Sequence, residues 1–126
     1  MELVATDEAP AAVGPYSQAV VARGLVFVSG QIPLDPRSGE VAGGTFADRV
    51  RRVLGNIDAV LRAAGSARER VVKVTVYVTD MGRFAELNAV YEAFFGEHRP
   101  ARAVVEVAAL PKGVDVEMDA VAEVEG

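Results

Sequence analysis

The alternating run at positions 71–79 constrains the fold of this chain more than any other feature. Its two interleaved sets are Val72, Val74, Val76 and Val78, and Lys73, Thr75, Tyr77 and Thr79. A strand sends successive side chains to opposite faces, so this period of two predicts a strand with one apolar and one partly polar face. The chain must therefore form a sheet and cover the valine face.

Periodicity elsewhere predicts the elements that supply this cover. Residues 17–23 and 25–29 are predicted to form a tight hairpin around Gly24, followed by an exposed loop over residues 32–44. Thr45 and Asp48 have capping-box spacing before a helix that ends near Gly65. A second helix is predicted over residues 83–96, with its apolar stripe formed by Phe84, Leu87, Tyr91 and Phe94. Strands at 102–108 and 114–124 complete an α+β fold, with a mostly antiparallel or mixed sheet and both helices on one face.

The other face of this sheet is predicted to be semi-polar. A chain of 126 residues suits one core, so residues 1–126 are expected to form a single domain. The strand pattern places Thr75, Tyr77, Glu117 and Asp119 on the face away from the helices. We expect other subunits to cover that face.

Charge and composition exclude several classes of function. A formal net charge of −5 repels polyanions, so nucleic acid is not an expected partner. The chain has no cysteine and one histidine, His98, so we expect no thiolate nucleophile and no metal site. The N-terminal residues do not resemble a signal peptide and no apolar run approaches the length of a membrane helix, so a cytoplasmic protein without a membrane partner is expected.

The last two predicted strands carry the charges best suited to chemistry. If they pair as an antiparallel hairpin with their apolar faces aligned, Arg102 and Glu117 lie on the same side of the sheet. An arginine can hold a small carboxylate through two parallel hydrogen bonds, and a nearby glutamate can position water or transfer a proton. The alternative is an ordinary cross-strand ion pair at a solvated or subunit surface.

Three other segments admit both a structural and a functional interpretation. Tyr16 follows Gly14-Pro15 and suits an entry turn anchored by an aromatic ring. Ser29 and Gly30 end a predicted strand, where a glycine would also let a ligand approach backbone N–H groups. Asn88 follows an apolar position of the second helix and could be a surface residue.

Several motifs, taken in order, resemble the RidA (YjgF-type) family. They are residues 9–19 (APAAVGPYSQA), 28–33 (VSGQIP), 72–78 (VKVTVYV), 88–95 (NAVYEAFF), 99–102 (RPAR), 110–113 (LPKG) and 116–120 (VEMDA). The resemblance covers nearly the whole chain in the family's order and spacing.

The resemblance implies a chorismate-mutase-like fold and a homotrimer with ligand clefts between adjacent subunits. It further implies that Arg102 binds a substrate carboxylate, that Glu117 is linked to a hydrolytic water, and that Tyr16, Ser29, Gly30 and Asn88 line or support the pocket. The chain departs from the family where a cysteine is usual two residues after the arginine, because that position is Val104. We expect Val104 to contact the substrate and to change the substrate preference.

The function implied by the resemblance is hydrolysis of reactive enamines and imines, such as 2-aminoacrylate, 2-iminopropanoate and 2-iminobutanoate, to 2-oxo acids and ammonia. No covalent nucleophile or cofactor is required, since oriented water and proton transfer suffice. A different class of function is also open, in which the pocket senses small carboxylates or the protein acts as a chaperone-like or translation-linked binder. Chorismate mutase is a further alternative that rests on fold similarity alone.

Overall fold

A six-stranded mixed sheet carries two helices on one face in this structure, a computed structural model that describes residues 1–125. The strands are β1 (Glu2–Val4), β2 (Ala19–Ala22), β3 (Leu25–Gln31), β4 (Val71–Val78), β5 (Ala101–Glu106) and β6 (Val116–Glu123). The helices are α1 (Phe46–Ala63) and α2 (Phe84–Phe95). The α+β class and the placement of both helices on one face are confirmed.

The strand order β1-β2-β3-β6-β4-β5 explains why the helices share a face. β4 and β5 pair in parallel, and β3 and β4 both run antiparallel to β6, so α1 and α2 each lie in a crossover between parallel strands. Both crossovers advance in the same direction across the sheet. Because such connections are almost always right-handed, the two helices fall on the same side.

The core lies between this helical layer and one face of the sheet. Its largest fully buried side chains come from both helices and from β6: Phe46, Leu54, Ile57, Leu61, Leu87 and Met118. Neither helix of the described chain combines the length and apolar character needed to span a membrane.

Local sequence signals produce the predicted start of α1 and the predicted hairpin turn. The Thr45 hydroxyl accepts a hydrogen bond from Asp48 N at 3.1 Å, and the Asp48 carboxylate accepts one from Thr45 N at 3.0 Å, which completes the capping box of α1. Between β2 and β3, Arg23 and Gly24 both have positive φ, at 53° and 75°. This backbone is typical of two-residue hairpin turns.

Three details of the predicted pattern are wrong. A register irregularity between Val71 and Lys73 turns Val72 outward, leaving it 40% exposed while Val74 is buried. Phe84 at the start of α2 is also exposed, because the buried stripe of this helix is Leu87, Val90, Tyr91 and Phe95. The loop over residues 32–44 is not fully exposed, since Leu34 is buried and forms a bridge with Val41.

The predicted hairpin of the last two strands does not form. β5 lies at the sheet edge beside β4, whereas β6 inserts between β3 and β4. Residues 107–115 connect the strands, and this connection is long enough to cross β4. The prediction failed because it assumed that consecutive strands are neighbours.

Candidate functional site

A small cleft lies where β3 and β6 face away from the helices. It is lined by Tyr16, Ser29, Gly30, Ile32, Pro111 and Glu117 and has a volume of about 380 Å³. β3 and β6 pair with a register shift between Val28 and Gln31, so Ser29 and Gly30 occupy an irregular stretch of the ladder. Such bulges re-aim backbone and side chains at the rim of a sheet.

Gly30 is required by the position of Glu117. A Cβ atom at residue 30 would collide with the Glu117 carboxylate, whose Cδ would lie 3.1 Å from it. The φ of Gly30 is not in the left-handed region, so the requirement comes from space and not from backbone conformation. The glycine therefore lets a half-buried carboxylate lie directly against the β3 backbone.

The surroundings of Glu117 favour its protonated form. Burial and then the negative charge of Asp119 raise the pKa of the Glu117 carboxyl above its ordinary value. The Tyr77 hydroxyl donates a hydrogen bond to the Asp119 carboxylate at 2.9 Å, and Tyr77 is the β4 neighbour of Glu117. A carboxyl group with a raised pKa in a cleft is suited to giving and taking protons.

Arg102 occupies a second cleft, at the edge of the helical layer. Its Nη1 donates to Asn88 Oδ1 at 2.8 Å, and its guanidinium carbon lies 4.8 Å from the centre of the Tyr91 ring. This cleft is lined by Asn88, Tyr91, Glu92, Arg99, Pro100 and Arg102 and has a volume of about 350 Å³. Held by an amide and an aromatic face, the guanidinium has a fixed position and can offer its other N–H groups to an anion.

Within one chain, Arg102 and Glu117 lie on opposite faces of the sheet. Arg102 is in register with Val74, whose side chain is buried under the helices, whereas Glu117 is in register with Tyr77 on the open face. The expectation that they share a side is wrong, because the face of β5 that carries Arg102 and Val104 points to the helices, whereas Val105 on its all-apolar face is 41% exposed. A single chain thus carries two separate clefts, one with the carboxylate and one with the guanidinium.

The other predicted site residues divide between these two clefts. Tyr16, Ser29 and Gly30 line the Glu117 cleft and Asn88 lines the Arg102 cleft. The Ser29 hydroxyl donates to the Ser17 carbonyl at 2.6 Å, which ties β3 to the segment that carries Tyr16. Val104 is on the Arg102 side of the sheet, in register with Val76, and packs at the margin of the core.

Sequence reasoning missed six residues of the two clefts: Ile32, Pro111, Tyr91, Glu92, Arg99 and Pro100. Ile32 and Pro111 both border Glu117, but Ile32 was assigned only to a loop and Pro111 received no site role. Tyr91 was assigned to the core, yet its buried hydroxyl has no hydrogen-bond partner within residues 1–125 and its ring supports Arg102. That buried hydroxyl could not be recognised from helical periodicity, which marks burial alone.

The described residues contain no group of three or more His, Asp or Glu side chains placed to hold a metal ion.

Comparison with known proteins gives one consistent family. A family model described as Endoribonuclease L-PSP matches residues 6–124. The chain is 50% identical over 122 residues to a 2-iminobutanoate/2-iminopropanoate deaminase of Salmonella typhimurium, covering 94% of each chain.

Solved structures agree with this match over the full chain. A crystal structure from Thermotoga maritima has 52% identity, covers 100% of this chain and 99% of its own, and superposes with a TM-score of 0.97. A crystal structure of Escherichia coli TdcF with bound serine has 41% identity, covers 99% of this chain and 100% of its own, and has a TM-score of 0.94.

Proposed function

We propose, because the chain belongs to the Endoribonuclease L-PSP family of YjgF and RidA proteins, that it hydrolyses 2-imino acids to 2-oxo acids and ammonia. The substrates are the imines 2-iminopropanoate and 2-iminobutanoate and the corresponding enamines, such as 2-aminoacrylate. The observation that carries the proposal is the Glu117 carboxyl, half-buried against Gly30 with its pKa raised by burial and by Asp119.

Glu117 supplies proton transfer in the proposed reaction. Water adds to the imine carbon, forming a C–O bond while the imine nitrogen receives a proton. The tetrahedral adduct then loses ammonia as its C–N bond breaks, and the hydroxyl proton leaves to give the 2-oxo acid. Water and the protonated imine are converted to ammonium and the oxo acid, so no oxidant, metal or covalent enzyme intermediate is needed.

Arg102 binds the carboxylate of the same substrate, and we propose that it comes from a neighbouring subunit. The opposite-face placement of Arg102 and Glu117 within one chain supports this assignment. A ring of identical subunits joined head to tail brings one subunit's helical edge to the next subunit's open face, so each interface would contain one complete site. A homotrimer is the assembly we propose.

The named relatives support a small amino-acid-like ligand. One relative is named as a deaminase of 2-imino acids and a solved structure contains bound serine, which has the carboxylate and nitrogen of the proposed substrates. The family description also names an endoribonuclease activity. A net charge of −5 and the carboxylates of Glu117 and Asp119 oppose binding of an RNA phosphate, so this activity is not favoured.

The test generates 2-aminoacrylate with a serine dehydratase and measures pyruvate release with and without the protein. We expect acceleration by the wild type and loss of most of it in Arg102→Ala and in Glu117→Gln. Folding and subunit association of each variant are checked by circular dichroism and sedimentation. If the folded wild type does not accelerate pyruvate release, the proposal is contradicted. That outcome would favour a ligand sensor, or a chaperone-like or translation-linked binder.

Complementation tests the two-subunit site directly. Arg102→Ala and Glu117→Gln chains are unfolded together in equal amounts and refolded as mixed oligomers. If each site takes its arginine and its glutamate from different chains, about one quarter of the sites recover both groups through random assortment. If both groups came from one chain, no site would recover.

A further inference from the structure

An apolar cavity adjoins the Glu117 cleft and is not used by the proposed reaction. Apolar side chains dominate its wall: Pro10, Ala11, Val13, Ile32, Leu34 and Pro111. The cavity has a volume of about 270 Å³, and it shares Tyr16, Gly30, Ile32 and Pro111 with the Glu117 cleft. A group bound beside Glu117 therefore has an apolar space next to it.

The polar side chains of this wall are largely engaged within the protein. The Gln31 amide donates to the Ser29 carbonyl at 3.4 Å, and the Tyr16 hydroxyl accepts from Val13 N at 3.4 Å. The Gln18 amide donates to the Pro10 carbonyl at 2.8 Å and accepts from Thr6 N at 2.6 Å, so it is engaged with the N-terminal segment. Lys112 is the one charged residue among the described residues of the wall, and it is exposed. An apolar group gains most from entering such a cavity.

The substrate carbon has three substituents with different requirements. The carboxylate needs a cation, the imine nitrogen needs a proton donor, and the side chain needs neither. We infer that the cavity between the N-terminal segment and the 111–113 turn holds the substrate side chain, so that 2-imino acids with branched or longer aliphatic side chains bind better than 2-iminopropanoate. This inference rests on the proposed function for the orientation of the substrate.

The size of the cavity supports this preference. The methyl group of 2-iminopropanoate would fill a small part of about 270 Å³. An isobutyl group contains three more carbons than a methyl group, so it removes more apolar surface from water. Each additional buried carbon raises affinity by roughly fourfold. The acid with the isobutyl side chain should therefore bind on the order of 50-fold more tightly than the acid with the methyl side chain.

The first experiment measures binding of the stable product acids by titration calorimetry. The series is pyruvate, 2-oxobutanoate, 4-methyl-2-oxopentanoate and 3-hydroxypyruvate, all at the same ionic strength. We expect affinity to rise along the first three and to fall for 3-hydroxypyruvate relative to 2-oxobutanoate, because its hydroxyl group would lose water in an apolar cavity. A flat or falling series, or tightest binding of 3-hydroxypyruvate, would overturn the inference.

A matched pair of variants locates the effect. Ala11 lines the cavity, whereas its neighbour Ala12 lines only the adjacent groove near residues 3–7. Ala11→Phe should weaken 4-methyl-2-oxopentanoate at least tenfold more than pyruvate, and Ala12→Phe should preserve the wild-type ratio. Equal changes in both variants, or an unchanged ratio in Ala11→Phe, would place the side chain elsewhere.

Turnover of 2-aminoacrylate distinguishes this inference from the proposed function. If the protein turns over 2-aminoacrylate but the affinity series is flat, the inference about the side-chain cavity is wrong and the deaminase proposal stands. A rising series without turnover of any imine removes the deaminase proposal and supports an apolar 2-oxo acid as the ligand of this cavity.

Discussion

The contact between Gly30 and Glu117 shows how one missing side chain can create a chemical environment. The glycine lets the carboxylate lie against the backbone of β3, where burial and Asp119 raise its pKa. The polar pair Tyr77 and Asp119 lies beside it on the same face. Substitution of Gly30 or of Asp119 should therefore change the position or the pKa of the Glu117 carboxyl while keeping the group itself.

Gly30→Ala should lower kcat/KM for the imine by about 100-fold, because the added methyl group displaces the Glu117 carboxylate by roughly an ångström. Gly43→Ala is the control, since a Cβ there meets no atom within 4 Å and Gly43 has no positive φ. Kinetics and thermal unfolding of both variants provide the comparison. Equal activity of the two would mean that the position of Glu117 does not limit turnover.

Asp119→Asn should lower the pKa of Glu117, because it removes the negative charge that disfavours ionisation, while burial still keeps that pKa raised. The limb of the kcat/KM profile that reports Glu117 then moves to lower pH. Tyr77→Phe removes the hydrogen bond but retains the charge, so it should shift the profile less. Carbon-13 titration of the Glu117 carboxyl gives the pKa independently of turnover, and a shift to higher pH would refute the assigned cause.

The ion pair of Arg49 and Asp115 joins α1 to the segment before β6. Arg49 Nε and Nη2 donate to the two Asp115 oxygens at 2.9 and 2.7 Å, with side chains 20% and 25% exposed. Arg51 and Asp48 form a more exposed pair on the same helix, with side chains 62% and 52% exposed. The pairs differ in burial, so they should differ in their effect on stability.

Arg49→Gln should lower the free energy of unfolding by about 1–3 kcal/mol at neutral pH, whereas Arg51→Gln should leave it nearly unchanged because solvent screens the exposed pair. The hydrogen bonds from Arg49 lower the pKa of Asp115 below 3.8. The stabilisation is therefore complete above pH 3.8 and disappears as the pH falls through the lowered pKa. Urea unfolding of both variants at neutral and acidic pH measures this, and an equal loss at both would exclude an electrostatic cause.

Local signals in the sequence predicted the elements but not their neighbours. The capping box of α1, the turn at Gly24 and the alternation in β4 each depend on residues close in the chain. The insertion of β6 between β3 and β4 depends on contacts far apart in the chain, and an alternating strand fits an edge or a centre equally well. Strand order and the choice of inner face are separate questions, and local pattern misled on both. The all-apolar face of β5 was expected to pack on the core, but Val104 packs there and Val105 is 41% exposed, so Arg102 and Glu117 were predicted as candidates while their side of the sheet was wrong.

The open face of the sheet carries apolar side chains that a neighbouring subunit would cover. Phe27 is 47% exposed there, although Val26 and Val28 on either side of it are buried. Phe27→Asp should convert a trimer to monomers and abolish turnover, because a charge buried at an interface is costly. Val41→Asp is the control, at 41% exposure in the 32–44 loop. Sedimentation velocity at micromolar concentration reports the assembly, and a monomeric wild type would contradict the two-subunit site.

The separation of Arg102 from Glu117 has a genetic consequence. If each interface takes one group from each of two chains, a chain lacking Arg102 disables the site to which it gives its arginine, while its glutamate still serves the other. Coexpression of intact and Arg102-deficient alleles in equal amounts would then retain about half of the sites, since each interface requires an intact arginine donor. Such an allele would reduce activity in proportion to its dosage, because one deficient chain inactivates one site and leaves the other sites of the oligomer active.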